Sequence, residues 1–163
     1  MYPLHQLLDW KWKNYYKIMK TNYSLGIIKP DAFKKKVYGK IINEILSKDF
    51  EIIKMKIDQL DEERARNFYL IHKDKKFFPD LINFMTSGPI IPIVVKKNNA
   101  VDSFRELIGS TNPQEASKNT IRFQFANNIQ ENAIHGSDSI KNAIKEIVFF
   151  FPSFQIWLGY EKN

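Results

Sequence analysis

The sequence predicts an α+β fold, an α/β sandwich of the ferredoxin-like βαββαβ plan in which helices cover one face of a four-stranded antiparallel sheet. Three observations carry this reading. Short β-branched runs alternate with apolar stripes of helical period, in the order β-α-β, helices, β-α-β. Breaks at Pro30-Asp31, Ser87-Gly88-Pro89 and Gly136 punctuate the runs. The chain has 163 residues, 44% of them hydrophobic, which is the size of one compact domain able to bury its own core.

The first 22 residues stand apart. Leu4, Leu8, Trp12, Tyr15 and Met19 fall on one helical stripe, Lys13, Lys17 and Lys20 lie opposite, and Asp9 is the one acid. A basic amphipathic segment of this kind packs on its parent domain, docks on a partner or membrane surface, or directs a protein to an organelle. It lacks the arginine and serine usual in transit peptides. Residues 23–163 are read as the domain proper.

Within that domain, Tyr23 to Lys29 reads as a strand closed by Pro30, because the residue before a proline is held extended. Lys29 then occupies the last strand position. Ile41, Ile42, Ile45 and Leu46 mark a helix, and Phe50 to Leu60 reads as a second strand. Asp61-Glu62-Glu63 is the acidic first turn of a helix reaching about Ile71, and Phe77 to Met85 forms another. Ile90 to Val95 has the composition of a buried strand, Ala100 to Ile108 is helical, and Gly109 to Asn119 is a long polar loop. Ala133-Ile134-His135 leads through Gly136 into Ser137-Asp138-Ser139, each able to cap a helix, and Ile140, Ala143, Ile144, Ile147 and Phe151 keep the helical spacing.

Composition narrows the chemistry. Cysteine is absent, so neither a disulfide framework nor a thiolate metal site can form, which fits a reducing, cytoplasmic setting. No apolar run reaches the roughly 18 residues that argue for a membrane span, and a soluble protein is expected. A net charge of +7 suits polyanionic partners such as nucleotides, nucleic acid or an anionic membrane surface.

His135 lies at the mouth of the last strand-to-helix turn. Unpaired backbone N–H groups and the positive end of a helix dipole suit such a turn to phosphate. Glu146 follows seven residues after Ser139, beside the apolar stripe, where its carboxylate can reach one imidazole nitrogen, fix the tautomer and leave the other free to attack. A lone histidine in a turn is by itself only a surface or core residue, so agreement with distant parts of the chain has to decide. Neither GxxxxGK[ST] nor GxGxxG occurs, so a phosphate ligand would need side-chain cations. Lys29, Arg105 and Arg122 are the candidates; Arg64 and Arg66 read as surface charges.

Six blocks carry a resemblance. Ile28-Lys29-Pro30-Asp31, Phe77-Phe78, Ser87-Gly88-Pro89, Gly109-Ser110-Thr111-Asn112-Pro113, Thr120-Ile121-Arg122 and His135-Gly136-Ser137-Asp138-Ser139 stand in one order between about Tyr23 and Pro152. In that order and spacing the sequence resembles the nucleoside diphosphate kinases. The resemblance implies ping-pong transfer of the γ-phosphate of a nucleoside triphosphate such as ATP to a nucleoside diphosphate, through a phosphohistidine at His135 formed on the nitrogen nearer the backbone. It implies Mg²⁺ carried on the nucleotide phosphates, with no metal ligand from the protein. Lys29, Arg105, Thr111 and Arg122 match the family's phosphate contacts, and Glu146 matches the glutamate that holds the histidine. Tyr69 matches a tyrosine packed beside it.

Base recognition in the family is undemanding. Phe77 would stack on the base, with Leu81 beside it and Ile129 across from it, although periodicity alone would place all three in the core. Asn132 and Lys29 match the residues that hold the ribose hydroxyls. Phe123-Gln124 stands where the family often has Gly-Asp, and Ala126 to Glu131 is idiosyncratic. Pro113 and its loop match a segment packed between subunits, which implies a homohexamer, with tetramer or dimer as competitors. The alternative is a catalytically silent module that binds nucleic acid or a protein partner. Silent relatives typically lose the histidine or its supports, and all are present here, so nucleic acid is not expected as the main ligand.

Overall fold

A computed structural model describes residues 22–154, and the strand β1 (Tyr23–Ile28), buried along its whole length, is the element on which they are assembled. After it come α1 (Pro30–Lys34), α2 (Tyr38–Ser47), β2 (Glu51–Met55), α3 (Glu62–Phe68) and a 3₁₀ turn at Leu70–His72. Then follow α4 (Phe78–Met85), β3 (Ile91–Lys96), α5 (Ala100–Ile108), a 3₁₀ turn at Pro113–Glu115, α6 (Ile121–Phe125), β4 (Ile134–Gly136) and α7 (Ile140–Phe150). The amphipathic stripe read in residues 1–22 lies outside the described residues.

The sheet has four strands in the order β2-β3-β1-β4, every pair antiparallel. This is the four-stranded antiparallel sheet that the alternation of runs predicts. The helices differ from expectation, because they cover both faces rather than one. Successive side chains of a strand point to opposite faces. Tyr23, Leu25 and Ile27 of β1 join Val94 of β3 in a core with Ile82 of α4 and Ile144, Ile147 and Phe150 of α7. Ile28 joins Ile91, Ile93 and Val95 in a second core with Ile41 and Ile45 of α2 and Phe104 and Ile108 of α5. A sheet clad on both sides explains why β1 and β3 read as continuous apolar runs.

Several local expectations are corrected. Lys29 follows β1 and is the N-terminal flank of α1, since Pro30 at a first helical position starts a helix rather than merely ending a strand. β2 stops at Met55, and Ile57 is 67% exposed, so the second strand is shorter than its apolar run. Leu46 is half-exposed, and Phe150, not Phe151, is the buried residue at the end of α7. Thr120-Ile121-Arg122 opens a short helix inside a region read without one; the Thr120 side chain accepts from Phe123 N.

Gly136 was expected to turn the chain. It is instead the last residue of β4, facing Gly26 across the ladder. A Cβ at Gly136 would meet Ile108 Cδ1 at 2.7 Å, and one at Gly26 would meet Phe104 Cζ at 2.8 Å. The two glycines together let α5 lie against the sheet directly beneath His135.

Candidate active site

The candidate site residues read from sequence border one cleft of about 1380 Å³. β4 supplies His135, α7 supplies Glu146, and the end of α3 supplies Tyr69. Lys29 enters from the β1–α1 junction, Arg105 from α5, Thr111 from the following loop and Arg122 from α6. Asn132 comes from just before β4, and Phe77, Leu81 and Ile129 complete the lining. Arg64 and Arg66 lie elsewhere, paired with Asp58 and Glu62 at 2.8 Å each.

His135 is held from several sides. Its Nε2 lies 3.1 Å from Glu146 Oε2. An ionised carboxylate only accepts hydrogen bonds, so this contact puts the proton on Nε2 and leaves the lone pair on Nδ1. The Tyr69 ring stands edge-on to the imidazole with centroids 6.4 Å apart, and Phe68 does the same at 5.6 Å. Tyr69 is buried, and its hydroxyl has no hydrogen-bond partner among the described residues. Burial, reinforced by the Glu146 charge, pushes its phenol well above the usual range and keeps it neutral.

Sequence reasoning missed two supports. Phe68 gave no signal apart from its neighbour. Ser137 looked like one of three interchangeable caps, yet Ser139 is the residue whose side chain caps α7, accepting from Asn142 N at 3.2 Å. Ser137 is fully buried; its hydroxyl donates to Glu146 Oε2 and accepts from Leu25 N at 3.2 Å. α7 also brings Lys141 and Lys145 to the cleft.

The turn itself offers less to phosphate than expected. Ser137 N is already spent on Leu25 O at 3.1 Å, and Asn142 N on the Ser139 hydroxyl. Positive charge therefore comes chiefly from side chains. Lys29 is buried, and desolvation, followed by repulsion from Arg122, lowers its ammonium to about 8 against the opposing pull of Asp31. Arg122 is lowered to about 10, first by burial and then by Arg105. Its guanidinium donates to Gly109 O and Ile134 O, both at 2.9 Å, which ties the loop after α5 to β4. Asn132 is buried too, and its Oδ1 has no partner among the described residues.

The apolar end of the cleft is not core. Phe77 is 52% and Ile129 59% exposed, whereas Leu81 is partly buried against the first core. The His72 ring flanks Phe77 with centroids 5.6 Å apart. Among the described residues no group of three or more His, Cys, Asp or Glu is placed to hold a metal ion. A divalent cation here fits as part of an incoming polyphosphate, because Mg²⁺ typically keeps several waters and bridges substrate phosphates. No helix among the described residues is long and apolar enough to cross a membrane.

The family model described as nucleoside diphosphate kinase matches residues 22–156. The nucleoside diphosphate kinase of Salinibacter ruber is 46% identical over 138 residues, spanning 85% of this chain and 97% of that protein. The Helicobacter pylori protein of the same name is 52% identical over 130 residues, 80% of this chain and 95% of its own. A crystal structure of the Aquifex aeolicus nucleoside diphosphate kinase superposes with a TM-score of 0.81 at 38% identity, covering 83% of this chain and 98% of that one. A second, from Encephalitozoon cuniculi, gives 0.77 at 34% identity over 80% of this chain and 88% of its own.

Proposed function

The chain belongs to the nucleoside diphosphate kinase family, and on that premise we propose that it transfers the γ-phosphate of a nucleoside triphosphate to a nucleoside diphosphate through His135. The observation that carries the reading is the 3.1 Å contact between His135 Nε2 and Glu146, which leaves Nδ1 as the nucleophile in a cleft shared with Lys29, Arg105 and Arg122.

In the forward half-reaction the Nδ1 lone pair attacks the γ-phosphorus. An N–P bond forms, the bond from γ-phosphorus to the bridging oxygen breaks, and the electron pair leaves with the nucleoside diphosphate. The second half-reaction runs this sequence in reverse onto another nucleoside diphosphate. The transition state is loose and anionic, so the protein contributes mainly position and charge. Mg²⁺ carried in on the nucleotide would supply further neutralisation of the phosphate charge. Lys29, Arg105 and Arg122 supply the remaining positive charge, and Thr111 a hydroxyl. Glu146 stabilises the imidazole as its charge changes, and Ser137 steadies Glu146.

Nucleotide recognition divides along the cleft. Asn132 Oδ1, buried and without a partner among the described residues, suits a ribose hydroxyl, and Lys29 lines the same cleft. Phe77, Leu81 and Ile129 form the base slot, and stacking on an aromatic face tolerates every base, so broad specificity follows. Silent relatives typically lose the histidine or its supports, and here His135, Glu146, Lys29, Arg105, Arg122, Thr111 and Asn132 are all present. For the assembly we favour a homohexamer over a tetramer or dimer, with residues 109–119 at the contact. Sedimentation at micromolar concentration tests it, and a monomer would overturn it. Residues 23–163 serve as the kinase domain and 1–22 as its extension, in a cytoplasmic setting.

The decisive experiment is incubation with γ-labelled ATP and Mg²⁺. The protein should acquire an acid-labile, alkali-stable phosphoryl group that discharges onto any nucleoside diphosphate, and His135→Ala should not label. Label that persists in His135→Ala would remove the nucleophile.

A further inference from the structure

Between Asn132 and His135 the backbone takes an uncommon path. Ala133 has a φ of 69°, in the left-handed region that residues with a β-carbon rarely adopt. Ile134 N donates to Asn132 O at 2.8 Å, closing a three-residue γ-turn with Ala133 at its centre. Strain of this kind persists only where the surroundings over-determine it.

The surroundings are the N-terminal end of α1. Ala133 N donates to Asp31 Oδ2 at 3.0 Å, and Ala133 O accepts from Lys29 N at 2.9 Å. Both polar groups of the strained residue are thereby captured by a segment that precedes it by about a hundred residues in sequence. On one flank of the turn stands Asn132. On the other, Ile134 O receives the Arg122 guanidinium, and His135 follows on β4. A relaxation at Ala133 would move all three groups together.

We infer that Asp31 is a positioning residue for phosphoryl transfer: its carboxylate captures the Ala133 amide and holds the γ-turn that sets Asn132, Arg122 and His135 in register around the cleft. The inference rests on the proposed roles of those three residues. Asp31 is 7% exposed and is absent from the cleft lining, so it acts through the turn and not on the nucleotide. Its one competing role is electrostatic. Lys29 and Lys35 both lie within its field, and the carboxylate could serve only to keep Lys29 charged.

Three substitutions separate the two roles. Asp31→Ala removes the acceptor, Asp31→Asn keeps an acceptor oxygen but loses the charge, and Ala133→Gly permits the left-handed conformation without assistance. The expected result is a fall of about tenfold in kcat/KM for Asp31→Ala, with KM for the nucleoside diphosphate raised and kcat lowered. Asp31→Asn should stay within about threefold of wild type, and adding Ala133→Gly to Asp31→Ala should recover most of the loss. Asn as impaired as Ala, with no recovery from glycine, would overturn the inference in favour of the electrostatic role. If Asp31→Ala alone fails to fold by circular dichroism, D31A/A133G decides: a folded, active double variant supports the inference, and an unfolded one overturns it. Wild-type labelling is measured in parallel. A wild type that does not label sinks the proposed kinase chemistry itself, whereas a normal wild type beside a fully active Asp31→Ala sinks only the role of Asp31.

Discussion

His135 Nε2 and Glu146 Oε2 lie 3.1 Å apart, and the same carboxylate oxygen receives the hydroxyl of the fully buried Ser137. One carboxylate, fixed on α7 and braced by β1 through Ser137, thus selects the imidazole tautomer. Nothing in this arrangement requires the nucleotide to touch Glu146. Glu146→Gln should therefore lower the rate at which His135 is phosphorylated while leaving nucleotide affinity within about twofold. A hydrogen bond to a charged group contributes about 1.5–3 kcal/mol, so the expected loss is roughly 10- to 100-fold. Single-turnover labelling separates the chemical step from binding; equal loss in both would refute an orienting role.

Lys29 carries a pH signature of its own. Because burial, then Arg122, lowers its ammonium to about 8, kcat/KM should decline as pH rises through that value and the phosphate loses a cation. Stability moves the other way. The folded value lies below the ordinary 10.5, so between about 8 and 10.5 the unfolded chain holds a proton that the folded chain has released. Across that window this group adds stability as pH rises; below about 8 the penalty of the buried charge is fully present. Lys29→Met should accordingly raise the melting temperature at neutral pH and lower kcat/KM by roughly 10- to 100-fold. A variant that melts lower than wild type would contradict the buried-charge reading.

Arg122 is both scaffold and cation, and substitution should expose the two roles. Its guanidinium spans Gly109 O and Ile134 O, a pair that a single ammonium cannot span in the same geometry. Arg122→Lys is expected to cost about 1–3 kcal/mol of stability through an orphaned buried carbonyl, and at least tenfold in kcat/KM. Urea denaturation reads the first and steady-state kinetics the second. Full stability in the lysine variant would show that the two carbonyls do not need the fork.

The legible and illegible parts of this chain divide on physical grounds. The sequence predicts α5 at its observed bounds, because nine residues with one apolar stripe leave little ambiguity. α6 is illegible in the sequence because five residues are too few to display a period, and its Thr120 cap is a local cue shared with ordinary turns. The apolar run predicts β2 too long: the regular strand ends at Met55, Ile57 is exposed, and beyond it only an isolated antiparallel bridge joins Asp58 to Ile90. In the site, His135 and Glu146 could be paired from helical spacing. Phe77 and Ile129 could not be told from core residues, since an apolar residue in a cleft and one in a core obey the same periodicity. Ser137 was illegible for a different reason. Its partner Leu25 lies 112 residues away, and a buried serine in a turn looks in sequence like an exposed cap.

That ambiguity over Phe77 can be settled by experiment. A core phenylalanine replaced by alanine costs about 3–5 kcal/mol of stability. Phe77 is 52% exposed at the N-terminal flank of α4, so Phe77→Ala should unfold close to wild type, within about 1 kcal/mol. Loss of a stacking face is worth about 1–3 kcal/mol per base, and the effect should fall on KM for purine and pyrimidine nucleotides alike, since every base presents a π-face. The measurement is KM for adenine, guanine, cytosine and uracil nucleoside diphosphates, alongside a thermal melt. A parallel rise in all four with an unchanged melt places Phe77 under the base. A lowered melt with unchanged KM values would instead make it part of the core.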